Sequence, residues 1–272
     1  KELGFIVSGS DLSESTTTFM LKKNNIPVAI GHSEKNIPDN PETIIIRSSA
    51  IKDDNIEFKY ALNKGLRSFY RGEFLARIAK SYQKTVSVAG SHGKTTVTSM
   101  IVHLLKSAGE KPGYAIGGKV VGWEKPAEAG NGNIFVTEAD ESDGSLVYLR
   151  NTIGIVNNID DDHSWSVGGE NVLLDNFAKF ATNSDCLLYN KSEKNDALLA
   201  SHKNKIVPEE NYAELNEALS KFNWGKFQKK NALISLNAVL KLGIEKDSAF
   251  RALETFPGVE RRMTIRFQSE KF

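Results

Sequence analysis

The chain has 272 residues, 40% of them apolar, 25% charged, with 21 glycines in addition; this excludes disordered, collagen-like and disulfide-stapled chains and is enough for a sizeable core in about two domains. Lys+Arg 35 against Asp+Glu 34 leaves a formal charge of +1, so nothing global directs the protein to nucleic acid or an anionic membrane. The one cysteine, Cys186, allows no internal disulfide and fits a reducing compartment, and no apolar run approaches the roughly 20 residues of a membrane helix.

In chain order, Phe5–Val7, Val28–Ile30 and Thr43–Ile46 read as strands, being short, β-branched and bounded by Gly, Pro, Asn or Ser. Between the first two, Ser13 to Asn24 reads as a helix with Ser13 as N-cap. A further helix is predicted from about Gly72 to Ser81, with Phe74, Leu75, Ile78 and Ala79 at helical spacing. This alternation argues for βαβ units on a parallel sheet. A second series starts at Lys84 with the strand Thr85–Ala89, a tight turn Gly90–Gly93, and a helix from Lys94 to Gly109. That helix carries Val97, Met100, Ile101, Leu104, Leu105 and Ala108 in one apolar stripe. Asn133–Thr137 and Ile153–Asn157 are predicted strands, each running into an acidic loop. A helix near Glu170–Phe180, a strand Cys186–Tyr189 and helices Asn231–Leu242 and Lys246–Thr255 follow. The domain boundary is expected near Ser81–Lys84. The chain opens without a methionine or a signal-peptide layout, and Thr264–Phe272 stops as another strand starts; both ends are expected to be cuts within a longer protein.

The sharpest chemical feature is Gly90-Ser91-His92-Gly93-Lys94-Thr95-Thr96 between a strand and an amphipathic helix. Backbone N–H groups of such a turn, together with a helix N-terminus, make an anion site suited to phosphates. Lys94 would meet the β/γ-phosphates and the Thr95 hydroxyl a Mg²⁺ ion. The full phosphate-loop pattern asks for Gly where Val88 stands, so this is a shortened form; a plain glycine turn with an exposed lysine is the simpler alternative. Glu138, Asp140, Glu141 and Asp143 crowd four carboxylates past the next strand, a repulsion that a bound cation or plain solvation would relieve. Asn157-Asn158-Ile159-Asp160-Asp161-Asp162-His163 follows another strand and ends in ligand-type residues. In a parallel sheet these loops share one edge, where α/β ligand sites lie.

Taken together, Gly90–Thr96, Glu138–Asp143 and Asn158–His163 resemble the central domain of the Mur ligases, whose alanine-adding members carry G-T-H-G-K-T-T, E-A-D-E-S-D and N-I-x-x-D-H. Val7–Asp11 resembles the family's V-x-G-S-D, Ser48-Ser49-Ala50-Ile51 with Asp54-Asn55 its S-S-A-I-x-x-D-N, and Phe256–Arg262 its F-x-G-x-x-R-R. The resemblance implies an α/β protein: a Rossmann-like UDP-sugar-binding domain over 1–82 lacking its first strand, a P-loop-type ATP-binding ligase domain with a mostly parallel sheet over 83–264, and at 265–272 the start of a linker to a third domain. It implies ATP and Mg²⁺ as cofactors, UDP-N-acetylmuramate and L-alanine as substrates, and an acyl-phosphate route to an amide bond. A cytoplasmic place in peptidoglycan synthesis, with no nucleic-acid partner and no membrane insertion, goes with it.

Carried over by position, the resemblance gives Lys94, Glu138 and His163 as catalytic residues. Gly90, Ser91, His92, Gly93, Lys94, Thr95, Thr96, Asn231 and Arg262 would bind ATP. Thr95, Glu138 and His163 would hold the metal, and Ser10, Asp11, His32, Ser48 and Ser49 would face the UDP-sugar. Asn231 as a mere helix cap and Arg262 as a surface ion-pair partner are the alternatives. The family's G-x-H-N-x-x-N-A appears here as Gly225–Ala232 with Phe227 and Gln228 in place of His and Asn, and the stretch from Tyr189 to Trp224 is short for the family. Two other readings stay open: a murein-tripeptide recycling ligase, whose acidic motif usually has Tyr where Ser142 stands, and a nucleotide- or UDP-sugar-binding paralogue without ligase activity.

Overall fold

In the computed structural model the described residues are 1–160, 164–208, 219–220, 222 and 224–259. The chain divides into two compact units, Lys1–Leu75 and Ala76–Phe272.

The first unit is built from two β-α-β passages. Strand β1 (Gly9–Asp11) leads through helix α1 (Thr16–Lys23) to β2 (Val28–Ile30), and β3 (Ile44–Arg47) leads through α2 (Ile56–Asn63) to β4 (Arg67–Tyr70). Each pair is parallel, and each forms its own two-stranded sheet. The first strand is therefore Gly9–Asp11 and not the apolar triplet Phe5–Val7, because it is Gly9 that pairs in register with Val28. Helix α1 is capped by Ser15, not Ser13: Ser15 accepts from the Thr18 amide while the Thr18 hydroxyl accepts from the Ser15 amide, a reciprocal capping box. Little of this unit is fully buried; Phe58 and Ala61 on α2 are its buried apolar side chains among the described residues. Arg47, at the end of β3, lies over the rings of Phe58 and Tyr70 at 3.8 and 4.4 Å and bonds Asp53 and the Tyr70 hydroxyl.

Helix α3 (Arg71–Ala79) runs across the division into the second unit. There a seven-stranded sheet forms from β5 (Lys84–Ala89), β6 (Gly113–Ala115), β7 (Ala127–Glu128), β8 (Ile134–Glu138), β9 (Asn151–Val156), β10 (Ser184–Tyr189) and β11 (Lys205–Ile206). Its order is β11-β10-β9-β5-β8-β6-β7, parallel throughout except for the β6–β7 pair. The strands alternate cleanly between two covered faces. Val86, Val88, Val136, Ile153, Ile155 and Leu188 pack into one core with α4 (Lys94–Ser107), α8 (Lys226–Lys241) and α9 (Lys246–Glu254). On the other face lies α6 (Glu170–Thr182), preceded by the short α5 (Ser164–Val167); Gly154 leaves room for Ser184 and Phe180, since a Cβ there would fall 2.0 Å from the Ser184 hydroxyl and 3.2 Å from the Phe180 ring. A last short helix, α7 (Glu193–Leu199), is capped by Ser192.

The apolar stripe of α4 is buried as its spacing predicts, apart from Ala108, which is exposed at the C-cap. The helix also buries Thr95, Thr96, Thr98 and Ser99. Helices α8 and α9 pack against α4: the Ser235 hydroxyl of α8 donates to the Met100 sulfur at 3.9 Å, and the His103 Nε2–H donates to the Ala252 carbonyl at 2.9 Å. Burial pushes the His103 imidazole below its ordinary range, the Ala252 carbonyl acting in the opposite direction. No helix among the described residues is long and apolar enough to cross a membrane.

Candidate functional site

Strand β5 is buried from Thr85 to Ala89 and lies between β9 and β8. Val88 is level with Glu138 of β8, and Ala89 with Val156 of β9, so the three following loops emerge side by side at the C-terminal sheet edge. From Gly90 the chain turns sharply. Gly90 and Gly93 have φ of +135° and +83°, conformations that side chains disfavour. Neither position has room in any case. A Cβ on Gly90 would sit 3.0 Å from the Asn158 backbone, and one on Gly93 would sit 2.2 Å from the Asn157 amide nitrogen.

Gly93 caps α4 with no side-chain hydrogen bond. The first-turn N–H groups are therefore not spent on a capping side chain, and with the helix dipole they make the positive pole that an anion seeks. Ser91 fastens the turn to the loop after β9: its hydroxyl donates to the Asp160 carbonyl at 3.1 Å and accepts from the Asp160 amide at 2.9 Å. The His92 amide donates to the Asn158 side chain at 2.8 Å. Its imidazole is largely exposed, 4.0 Å from the Asp160 carboxylate. Thr96 is buried at the root of the helix.

The acidic loop after β8 is half-buried, and its carboxylates have partners within the fold. Asp140 accepts from the Ser142 amide and hydroxyl, and Asp143 from the Ser145 amide. Glu141 is fully buried and paired with Lys94 at 2.7 and 2.9 Å. Glu138 accepts from the Gly117 amide at 2.7 Å with one oxygen and from the Thr95 hydroxyl at 3.3 Å with the other. Thr95 and Glu138 thus bring two hard oxygen donors together, as a Mg²⁺ ion requires. Gly117 and Gly118 keep this place uncrowded, since Cβ atoms there would fall 3.3 Å from Glu138 and 2.8 Å from Thr95. These residues fit such an ion.

A run of asparagines backs the turn. Asn157 donates from its amide to the His92 carbonyl at 2.9 Å and to Asn231 Oδ1 at 3.0 Å, and accepts from Asn190 at 2.5 Å. Asn195 donates in turn to the Asn190 carbonyl at 2.7 Å. Asn231 is no cap. Helix α8 begins at Lys226 after Gly225, five residues before it, which puts Asn231 inside the helix and against the turn. Phe227, one turn earlier on the same helix, is 80% exposed.

In the first unit, Ser10 of β1 donates to Glu57 at 2.6 Å, while the Ser33 amide and the Asn36 side chain reach the other Glu57 oxygen at 3.1 and 2.6 Å. Asn55, which caps α2, is 2.7 Å from His32 Nδ1. Ser10 and His32 are so tied to one helix N-terminus. Asp11 ends β1, and its carbonyl accepts from the Gly31 amide. Ser48 and Ser49 are exposed at the start of the loop between β3 and α2. His163 and Arg262 lie outside the described residues, as does the segment from 260 onward where a final strand and linker are expected.

Sequence reasoning missed Glu57 and Asn190, and for Glu141 and Asn157, which it named in their loops, it missed the partners they take. For Glu57 the signal was its place two residues past the capping Asn55; for Glu141 and the asparagines it was only their loops, since their partners lie 33 to 74 residues away.

Compared with known proteins, residues 88–239, more than half of the chain, match the Mur ligase middle domain, and residues 1–83 match a domain described as Mur ligase family, catalytic domain. The chain belongs to the Mur ligase family. Among curated Mur ligases, it is 32% identical to the UDP-N-acetylmuramate–L-alanine ligase of Syntrophomonas wolfei, over 97% of this chain and 63% of that protein. It is 31% identical to the enzyme of the same name from Aquifex aeolicus, over 97% of this chain and 64% of that protein. The chain thus spans a little under two thirds of these relatives. Among solved Mur ligases, the UDP-N-acetylmuramate–alanine ligase of Thermotoga maritima superposes with a TM-score of 0.78 at 25% identity, covering 97% of this chain and 66% of that one. A murein peptide ligase from Psychrobacter arcticus shares the fold with a TM-score of 0.77, 21% identity and coverage of 96% and 65%.

Proposed function

We propose that this chain is the nucleotide- and UDP-sugar-binding part of an ATP-dependent ligase that joins L-alanine to UDP-N-acetylmuramate through an acyl phosphate. The observation that carries the reading is the meeting of the Gly90–Thr96 turn, Lys94, Thr95 and Glu138 at one sheet edge. The alanine-ligase names of relatives similar over nearly the whole chain support the substrate assignment. On this reading residues 1–82 hold the UDP-sugar and residues 83–264 the nucleotide.

The residues divide the work as follows. Backbone N–H groups of the turn and of the first turn of α4 cradle the phosphates, and the Lys94 ammonium neutralises charge that develops during transfer. Thr95 and Glu138 hold Mg²⁺, with His163 as a further candidate, and the ion supplies charge neutralisation at the phosphates. The asparagines behind the turn keep the His92 carbonyl facing inward, away from an incoming anion. Ser10, Asp11, His32, Ser48 and Ser49 line the edge proposed for the UDP-sugar, with Glu57 holding Ser10 in place. The sugar carboxylate must be brought in line with the γ-phosphate, so catalysis rests on positioning and on a charged, sheltered site. Asn231 and Arg262 complete the nucleotide site, and the setting is the cytoplasmic synthesis of peptidoglycan precursors.

Calorimetric titration with Mg²⁺–ATP and separately with UDP-N-acetylmuramate tests the reading. Saturable one-to-one binding of both is expected. Failure to bind UDP-N-acetylmuramate while ATP binds would remove the substrate assignment and leave a nucleotide-binding protein.

A further inference from the structure

The Lys94 ammonium has three hydrogens, and three oxygens stand around it. Nζ lies 2.7 Å from the Gly90 carbonyl and 2.9 and 2.7 Å from the two oxygens of Glu141. Glu141 is wholly buried and Lys94 nearly so, with side-chain exposures of 0% and 15%. The other nearby carboxylates have different work: Asp140 and Asp143 bond serines of their own loop, and Glu138 faces Gly117 and Thr95. Glu141 is thus the carboxylate that holds this lysine.

Two consequences follow from the geometry. A phosphate oxygen that takes a hydrogen bond from Lys94 must displace one of these three acceptors, since the ammonium has no fourth hydrogen. The same phosphate brings negative charge beside a carboxylate that water cannot screen, and at a separation of a few ångströms that repulsion is large. A buried acid left by its cation is costly unless another partner takes over.

We propose that Glu141 is the exchange partner of Lys94: it holds the lysine, yields it to the nucleotide phosphates, and by its charge weakens the binding of nucleotide that arrives without a divalent cation. Glu141 is then a positioning residue whose carboxylate makes the site selective for cation-neutralised nucleotide. The inference rests on the reading that the Gly90–Thr96 turn binds nucleotide phosphates.

The test is titration of the wild-type chain and the Glu141→Gln variant with ADP, once in EDTA and once in excess Mg²⁺, with the melting temperature as an independent measure of folding. Glutamine keeps the size and one acceptor oxygen and removes the charge. Cation-free ADP is expected to bind the variant roughly tenfold more tightly, equivalent to ~1.4 kcal/mol, and the gap between the two media should narrow. A purely structural role for Glu141 predicts equal or weaker cation-free binding; that result overturns the proposal while leaving the nucleotide site intact. If neither protein binds ADP in either medium, the nucleotide site itself is wrong and the exchange falls with it. Should the glutamine variant unfold, Glu141→Asn carries the test. It also removes the charge, in a shorter side chain, so the same tenfold gain in cation-free affinity is expected, and equal or weaker cation-free binding overturns the proposal.

Discussion

Replacing Gly93 by alanine probes how tightly the turn is seated. Gly93 has φ +83°, and a Cβ there would meet the Asn157 amide nitrogen at 2.2 Å and Asn231 Oδ1 at 3.1 Å. Left-handed backbone costs an ordinary residue ~1–2 kcal/mol. Asn157 must also move, and in moving it gives up hydrogen bonds to the His92 carbonyl and to Asn231. A buried amide left unpaired costs a further ~1–3 kcal/mol, so the sum is ~2–5 kcal/mol. Gly109 supplies the control: its φ is +87° and nothing lies within 4 Å of an added Cβ, so Gly109→Ala should cost the ~1–2 kcal/mol of strain alone. All three tryptophans, Trp123, Trp165 and Trp224, lie in the second unit, so urea unfolding followed by tryptophan fluorescence reads that unit by itself. Equal losses of stability in the two variants would refute the close packing of the turn on Asn157.

Two further outcomes are expected. His103 is held below the ordinary imidazole value of 6.5, chiefly by burial. The unfolded chain therefore binds more protons than the folded one below that value, and the contribution of His103 is complete above it and lost as pH falls through 6.5 towards the folded pKa. Melting temperatures measured between about pH 7.5 and 5.5 should fall less steeply for His103→Gln than for wild type; parallel curves would contradict this. In the first unit, Glu57→Ala removes three hydrogen bonds made by Ser10, Ser33 and Asn36. At about 1 kcal/mol each, hydrogen exchange at the amides of β1, β2 and α2 should quicken by about two decades, and unchanged exchange would show that Glu57 holds nothing together.

What could be read from the residues follows from the range of the forces involved. The β5–turn–α4 passage was legible because strand, glycines and apolar stripe are local signals that agree with one another. Strand β1 was not: its residues Gly9-Ser10-Asp11 carry no strand propensity, and pairing with β2 alone makes them a strand, while the apolar Phe5–Val7 drew the prediction forward. The start of α8 was placed late because Lys226-Phe227-Gln228-Lys229-Lys230 offers no apolar period, although the helix begins there. The acidic loop showed its charge but not its geometry. Four carboxylates in six residues call for relief, yet only the fold reveals that Lys94, 47 positions earlier, supplies it to Glu141. The asparagine run is of the same kind, since each of its members looks like an ordinary loop or helix polar residue until the sheet brings them together.

The measurement that bears most directly on the central claim is nucleotide affinity with and without the Lys94 ammonium. In Mg²⁺–ATP titrations of the 272-residue chain, Lys94→Ala is expected to melt lower than wild type, because it leaves the buried Glu141 without its cation, and, at a temperature where its melting curve shows it folded, to lose at least roughly tenfold in affinity, as a charged phosphate contact worth ~1.5–3 kcal/mol implies. An alanine variant that binds Mg²⁺–ATP as tightly as wild type would show that the Gly90–Thr96 turn is a tight turn and no phosphate site.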